Sequence, residues 1–181
     1  MGFWKNKLNK MQKEKTIEVL NTLITINSDR IKGYETASKE TDEQELKTLF
    51  AQFTATSQKC KQELIAEVNK LGGKITEGVT KSEEFFFMWI DVIKVALAGN
   101  DRKAILKSCE YGEDIAVCTY FRALRNDMNN ITAEQQITIN AQHDLIKADY
   151  NKLKSMRDAL AYTQIKYDIP LTQSTIKHSW F

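Results

Sequence analysis

One proline and seven glycines in 181 residues leave few points at which a helix must stop. No segment alternates apolar and polar residues in steps of two between turn signals, so strands are not expected. Only two histidines are present, His143 and His178. The three cysteines, Cys60, Cys109 and Cys118, make no Cys-x-x-Cys pair, which removes the usual zinc and dithiol signatures. They read as small core-filling thiols of a reducing compartment. The longest apolar run, Phe85 to Ile90, is far too short to span a bilayer. The opening residues, MGFWKNKLNKM, lack the apolar stretch of a secretory leader, and Asn6 stands where N-myristoylation needs Ser or Thr. Basic and acidic residues nearly cancel, 26 against 24, which argues against a nucleic-acid partner. No Gly-x-Ser-x-Gly and no phosphate-cradling glycine loop occurs. A cytoplasmic chain without nucleophilic catalysis is the expectation.

What is present is helical periodicity. Ile17, Leu20, Ile24, Asn27, Ile31, Tyr34 and Ser38 form a row that predicts a helix from about Thr16 to Lys39. A second helix is expected from Thr41-Asp42, with Gln44 and Glu45 placed for a capping box, to a stop at Gly72-Gly73. Its row is Leu46, Leu49, Phe53, Ser57, Cys60, Leu64, Glu67 or Val68, and Leu71. A shorter helix follows over Ser82 to Ala98, closed by Gly99-Asn100. Asp101 then caps a long helix to about Met128, with Leu106, Cys109, Glu113, Ala116, Tyr120 and Leu124 in line. Thr132 with Gln135 opens the last, to about Ala161, whose bulky row is Ile139, His143, Ile146, Tyr150, Leu153, Arg157 and Leu160.

The chain thus divides into 1–15, a basic arm or helix start; 16–161, a helical bundle; and 162–181, a tail that contains Pro170 and loses the period. Lys5, Lys7, Lys10, Lys13 and Lys15, beside Phe3 and Trp4, make the arm a frayed helix start or a contact for a membrane surface or partner. Tight connections at Glu40-Thr41 and near Asn129-Ile131 predict two antiparallel hairpins. The link between them holds the short helix and is long enough to carry the chain the length of the bundle. The second and third long helices then run parallel, as in ferritin-like four-helix bundles with one long crossover. The fold class is all-α.

Four polar residues interrupt these rows near mid-helix: Asn27, Ser57, Glu113 and His143. In a bundle of near-equal helices they are expected to share one layer. One reading is a buried polar layer, with Glu113 accepting from His143 and Asn27 and Ser57 satisfying the remainder. The other is a metal centre. Di-iron bundles draw a Glu-x-x-His from each of two helices, and one bundle histidine cannot supply two. A degenerate iron or manganese site from Glu113, His143 and Glu110 is the form this reading takes.

The residues from Leu20 to Glu35 (LNTLITINSDRIKGYE) resemble the first helix of an uncharacterised bacterial family of ferritin-like four-helix-bundle proteins. The resemblance continues in Leu46 to Phe50, Glu63 to Val68, Leu71 to Gly73, Gly99 to Leu106, Cys109 to Asp114 and Gln142-His143, covering Thr16 to Leu160 in order. It implies the ferritin-like fold and a bacterial cytoplasmic setting, and it brings no established activity. Its polar signature falls on Arg30, Tyr34, Glu35, Glu110, Glu113, Asp114 and His143. Glu35 is the first-helix residue such a metal site would recruit, although it lies about two turns from Asn27. Arg30 with Glu110 or Asp114 is expected as a structural ion pair. The expected role is that of a non-enzymatic binding, structural or stress-related protein that forms a dimer or holds a protein partner. The alternative is a metal-binding protein or oxidase using Glu113, His143, Glu110 and Glu35.

Overall fold

A computed structural model of the chain describes residues 2–76 and 82–168, and of these the side chains of 6–76, 88–162. The elements are α1 (Gly2–Glu40), α2 (Gln44–Lys70), α3 (Ser82–Ala98), α4 (Arg102–Asn126), a single 3-10 turn at Met128–Asn130, and α5 (Ala133–Asp168). Among the described residues there is no strand. The family of expectations built on an all-helical chain therefore stands at the level of secondary structure.

The helix ends follow local chemistry. At the end of α2, Gly72 takes a left-handed conformation with φ of 60°. Its N–H bonds to the Asn69 carbonyl at 2.8 Å and that of Gly73 to the Val68 carbonyl at 2.9 Å. These are the two bonds of a Schellman stop. α3 ends the same way, but the left-handed residue is Asn100 rather than a glycine, with φ of 48°. Asp101 caps α4 by accepting from the Ala104 N–H at 3.0 Å. Thr132 and Gln135 form both halves of a capping box, at 3.2 and 3.0 Å, at the start of α5. The start of α2 differs from expectation. Its N-cap is Glu43, which makes no side-chain cap bond. Thr41 instead accepts from the Glu43 N–H at 3.2 Å, closing a tight local turn that shifts the helix start two residues on.

Two helices outrun their apolar periodicity. α1 begins at Gly2 rather than near Thr16, and α5 continues to Asp168 rather than stopping near Ala161. The added turns of α1 are rich in Lys, a good helix former that needs no buried face. The tail residues Ile169, Pro170, Leu171, His178, Trp180 and Phe181 lie outside the described residues.

α1 packs mainly on α2, and α4 on α5, each as an antiparallel pair. Across the pairs, Gln135 on α5 reaches Glu67 on α2 at 3.3 Å and Lys152 reaches Gln52 at 2.8 Å, so α5 runs against α2. Asn27 on α1 meets Tyr120 on α4, and Arg30 and Tyr34 meet Glu113, so α1 runs against α4. α2 and α4 are therefore parallel, and Arg102 ties their N-terminal ends by ion pairs to Glu43 and Glu45. The crossover between them contains α3, which packs on α1 and α4.

Trp89 fixes α3 in place. Its indole N–H donates to the Ser108 carbonyl of α4 at 2.9 Å. Its ring lies against the bare backbone of Gly33 on α1 and Gly112 on α4, where a Cβ at either glycine would overlap it. The apolar interior falls into two clusters. One gathers Tyr34, Leu46, Phe50, Phe53, Trp89, Ile93, Leu106 and Leu153. The other gathers Leu20, Leu23, Ile24, Leu64, Val68, Ala116, Tyr120, Ile139 and Ile146. A polar layer lies between them in chain order on all four long helices.

Candidate functional site

The centre of that layer is Arg30, a guanidinium with no route to water: its side chain is 2% exposed. On α1 it belongs to the inward row Leu20, Leu23, Asn27, Arg30, Tyr34 and Ala37, all buried. A cation in such a place needs counter-charges and acceptors for its N–H groups. Glu113 supplies a two-pronged contact, Nε to Oε1 and Nη2 to Oε2, both at 2.9 Å. Nη2 also donates to Asp149 Oδ2 at 3.0 Å, and Nη1 to Ser57 Oγ at 2.6 Å. One side chain of α1 thereby reaches α2, α4 and α5. Tyr34, one turn on, donates its hydroxyl to Glu113 Oε1 at 2.6 Å. Tyr34 is itself enclosed by Phe50, Phe53 and Trp89, with ring centroids 5.4, 5.2 and 5.7 Å away.

Burial works against the guanidinium's charge, yet the neighbouring Glu113, Tyr34 and Asp149 outweigh it and hold Arg30 above its ordinary pKa. Burial raises the Asp149 carboxyl above the usual value; Arg30 opposes this and the adjacent Glu113 adds to it. The Tyr34 hydroxyl is pushed well up by burial, with Glu113 adding to the effect. The Cys60 thiol is pushed up to about 11, by burial first. Burial and Glu113 likewise raise that of Cys109. Both are fully buried thiols held protonated, the opposite of a reactive cysteine.

A second polar network lies toward the other apolar cluster. Asn27 Nδ2 donates to the Tyr120 hydroxyl at 2.6 Å and to the Leu23 carbonyl at 2.8 Å. Tyr120 donates to Gln142 Oε1 at 2.9 Å, and Gln142 Nε2 donates to Glu63 at 2.8 Å and to the Cys60 carbonyl at 3.2 Å. Asn27 Oδ1 is buried and finds no donor.

The four residues expected in one layer are therefore divided. Ser57 and Glu113 both bind Arg30, while Asn27 belongs to the neighbouring network. His143 belongs to neither. Its side chain is 15% exposed and its Nδ1 lies 3.5 Å from Asp144, the next residue along. The inward row of α5 is Gln135, Ile139, Gln142, Ile146, Asp149 and Leu153, so Gln142 and Asp149 hold the places assigned to His143 and Tyr150. The expected ion pair of Arg30 with Glu110 or Asp114 is replaced by Glu113 and Asp149, because Arg30 faces inward. Asp114 is exposed, and Glu110 pairs with Arg157. Glu35 is exposed beside a shallow surface depression of about 530 Å³ that it shares with Ser38 and Gln58. Glu113, His143, Glu110 and Glu35 thus have separate surroundings. Among the described residues no three His, Cys, Asp or Glu side chains gather as a metal ion would need.

Fold and site together define an all-helical protein whose polar centre is a buried guanidinium held by carboxylates from two other helices. Residues 15–126 match the pattern of a domain of unknown function, DUF2383, and the chain belongs to that family. The matched part contains Arg30, Tyr34, Ser57 and Glu113 but stops before Asp149. No curated protein matches the chain. Among the described residues no helix is long and apolar enough to cross a membrane.

Proposed function

We propose that this chain is a ferritin-like four-helix bundle that works as a non-enzymatic binding or structural protein of the bacterial cytoplasm, with a part in stress tolerance. Two antiparallel pairs joined by a long crossover, with α2 parallel to α4, support the ferritin-like reading. The observation that carries the non-enzymatic reading is the closure of the central site. The two carboxylates that a bundle metal would use, Glu113 and Asp149, both spend their charge on Arg30, which occupies the space between them. A cation already resident there leaves no place for a second, and the 0% exposure of Glu113 leaves no path for a substrate.

Binding then falls to the surface. Met88, Val92 and Val95 form an exposed apolar row on α3, at the spacing of one helix face. This row is the surface we assign to a second copy of the chain.

The test is elemental analysis and native mass spectrometry on full-length protein grown with added iron and manganese. The expected result is less than stoichiometric metal, a melting temperature unmoved by chelator, and a dimer that Val92→Asp with Val95→Asp converts to monomer. One metal per chain, lost in both Glu113→Gln and His143→Ala, would overturn this and restore an iron- or manganese-binding protein or oxidase.

A further inference from the structure

α3 has two unlike faces. Trp89, Ile93, Ala96 and Leu97 are buried and join the apolar cluster beneath them. Trp89 fixes their direction, with its ring in the notch between Gly33 and Gly112. The opposite face carries Met88, Val92 and Val95, which are 51%, 50% and 74% exposed. Single apolar residues are ordinary on a protein surface; three in one row at helical spacing make a contact stripe. Asp91 and Lys94 are exposed beside them. Three residues apart, these two lie on one flank of the stripe and carry opposite charge.

These five residues share a centre. Val92 stands midway between Met88 and Val95, and midway between Asp91 and Lys94, to within half a residue. A second copy laid antiparallel across the stripe, about a two-fold axis at Val92, sets Val92 on its own counterpart and Met88 beside Val95. The axis reverses the helix but keeps each flank on its own side, so Asp91 comes beside Lys94 twice. A parallel pairing would instead set each residue against its own counterpart. Asp91 would then face Asp91 and Lys94 would face Lys94, and like charges across a contact repel. Charge thus selects the antiparallel arrangement.

We propose that two copies of this chain pair antiparallel through α3, with Asp91 and Lys94 as the residues that set the direction and register of the contact. This rests on the assignment of the α3 row to a second copy and adds how the copies meet. The 17 residues of α3 make a face about 25 Å long and about 10 Å wide. Such a face is smaller than the roughly 800 Å² per partner of a standard interface, so the dimer is expected to dissociate on dilution. Its ion pairs lie at the rim, so added salt weakens it further.

Sedimentation equilibrium of the full-length protein over a range of concentrations tests this. Asp91→Lys and Lys94→Asp, each alone, turn two attractive pairs into two repulsive ones. Each is expected to weaken the dimer by about tenfold or more. Asp91→Lys with Lys94→Asp restores both pairs with the signs exchanged and is expected to return the dimer to within about threefold of the parent protein. Both positions are exposed, so thermal melts of all three variants in dilute solution should match that of the parent. A dimer lost in Val92→Asp with Val95→Asp but unmoved by the charge variants overturns the antiparallel pairing and leaves the α3 surface itself standing. So does a double charge variant as weak as either single one. A chain that stays monomeric at the highest concentration, or a dimer that survives Val92→Asp with Val95→Asp, overturns both.

Discussion

A guanidinium sealed inside a protein can be removed cheaply only if its counter-charges go with it. Arg30→Met is expected to cost about 3–5 kcal/mol in urea unfolding at neutral pH, because it strands Glu113 and Asp149 in the interior. Adding Glu113→Gln and Asp149→Asn should recover much of that loss. A single variant as stable as the parent protein would mean that the carboxylates reach water. Asp149 has its own signature in pH. Its carboxyl is raised in the folded state, so its ionisation opposes folding. The stability it contributes is fully present below the ordinary carboxyl value and is lost as pH rises through the raised one. Thermal melts of Asp149→Asn should therefore show the parent gaining on the variant as pH falls toward about 4. The reverse trend would place the folded carboxyl below its ordinary value. The same residues show what an apolar pattern hides. Ser57 and Glu113 stand out in sequence because they break rows of Leu, Phe and Ala. Arg30 does not, because Ile31 beside it is the more natural core residue and arginine is rarely buried whole. On α5, His143 and Tyr150 are bulkier than Gln142 and Asp149 and draw the expected row off by one residue.

At the level of the elements, the join between α3 and its neighbours is a shape rather than a pattern. Alanine is the better helix former, so propensity alone would favour Gly112→Ala. Packing decides the other way, since the new methyl would meet the Trp89 ring. The expected cost is about 1–3 kcal/mol. Trp89→Ala alone should cost about 3–5 kcal/mol. In the double variant the alanine at 112 should be nearly free, giving a strongly non-additive cycle in chemical denaturation. Additive losses would mean that the ring moves aside. In the sequence the helices were read straight through Gly33 and Gly112. The ring that needs them comes from a third helix, and no local signal joins the three. The capping box at Thr132 and the stop at Gly72 were legible for the opposite reason: each is complete within a few residues.

For the whole molecule, the order of elements followed from breakers and loop lengths, which are local. The direction of the helices followed from the length of the crossover, and the parallel course of α2 and α4 agrees with it. The start of α1 was open in the sequence between a basic arm and a helix start, and the run of α5 past Ala161 was not legible, because neither stretch continues the apolar row of its helix. The arrangement also bears on how the chain assembles. The hairpin of α1 and α2 brings a cation to its inner face with only Ser57 to receive it. The hairpin of α4 and α5 brings two carboxylates and no base. Each half alone must bury unpaired charge or keep it wet, so neither has a dry interior of its own. Only correct docking brings the guanidinium and the two carboxylates together. A misaligned or swapped pairing of hairpins would meet the same penalty at once, and the cluster thereby acts as a proofreading step in folding.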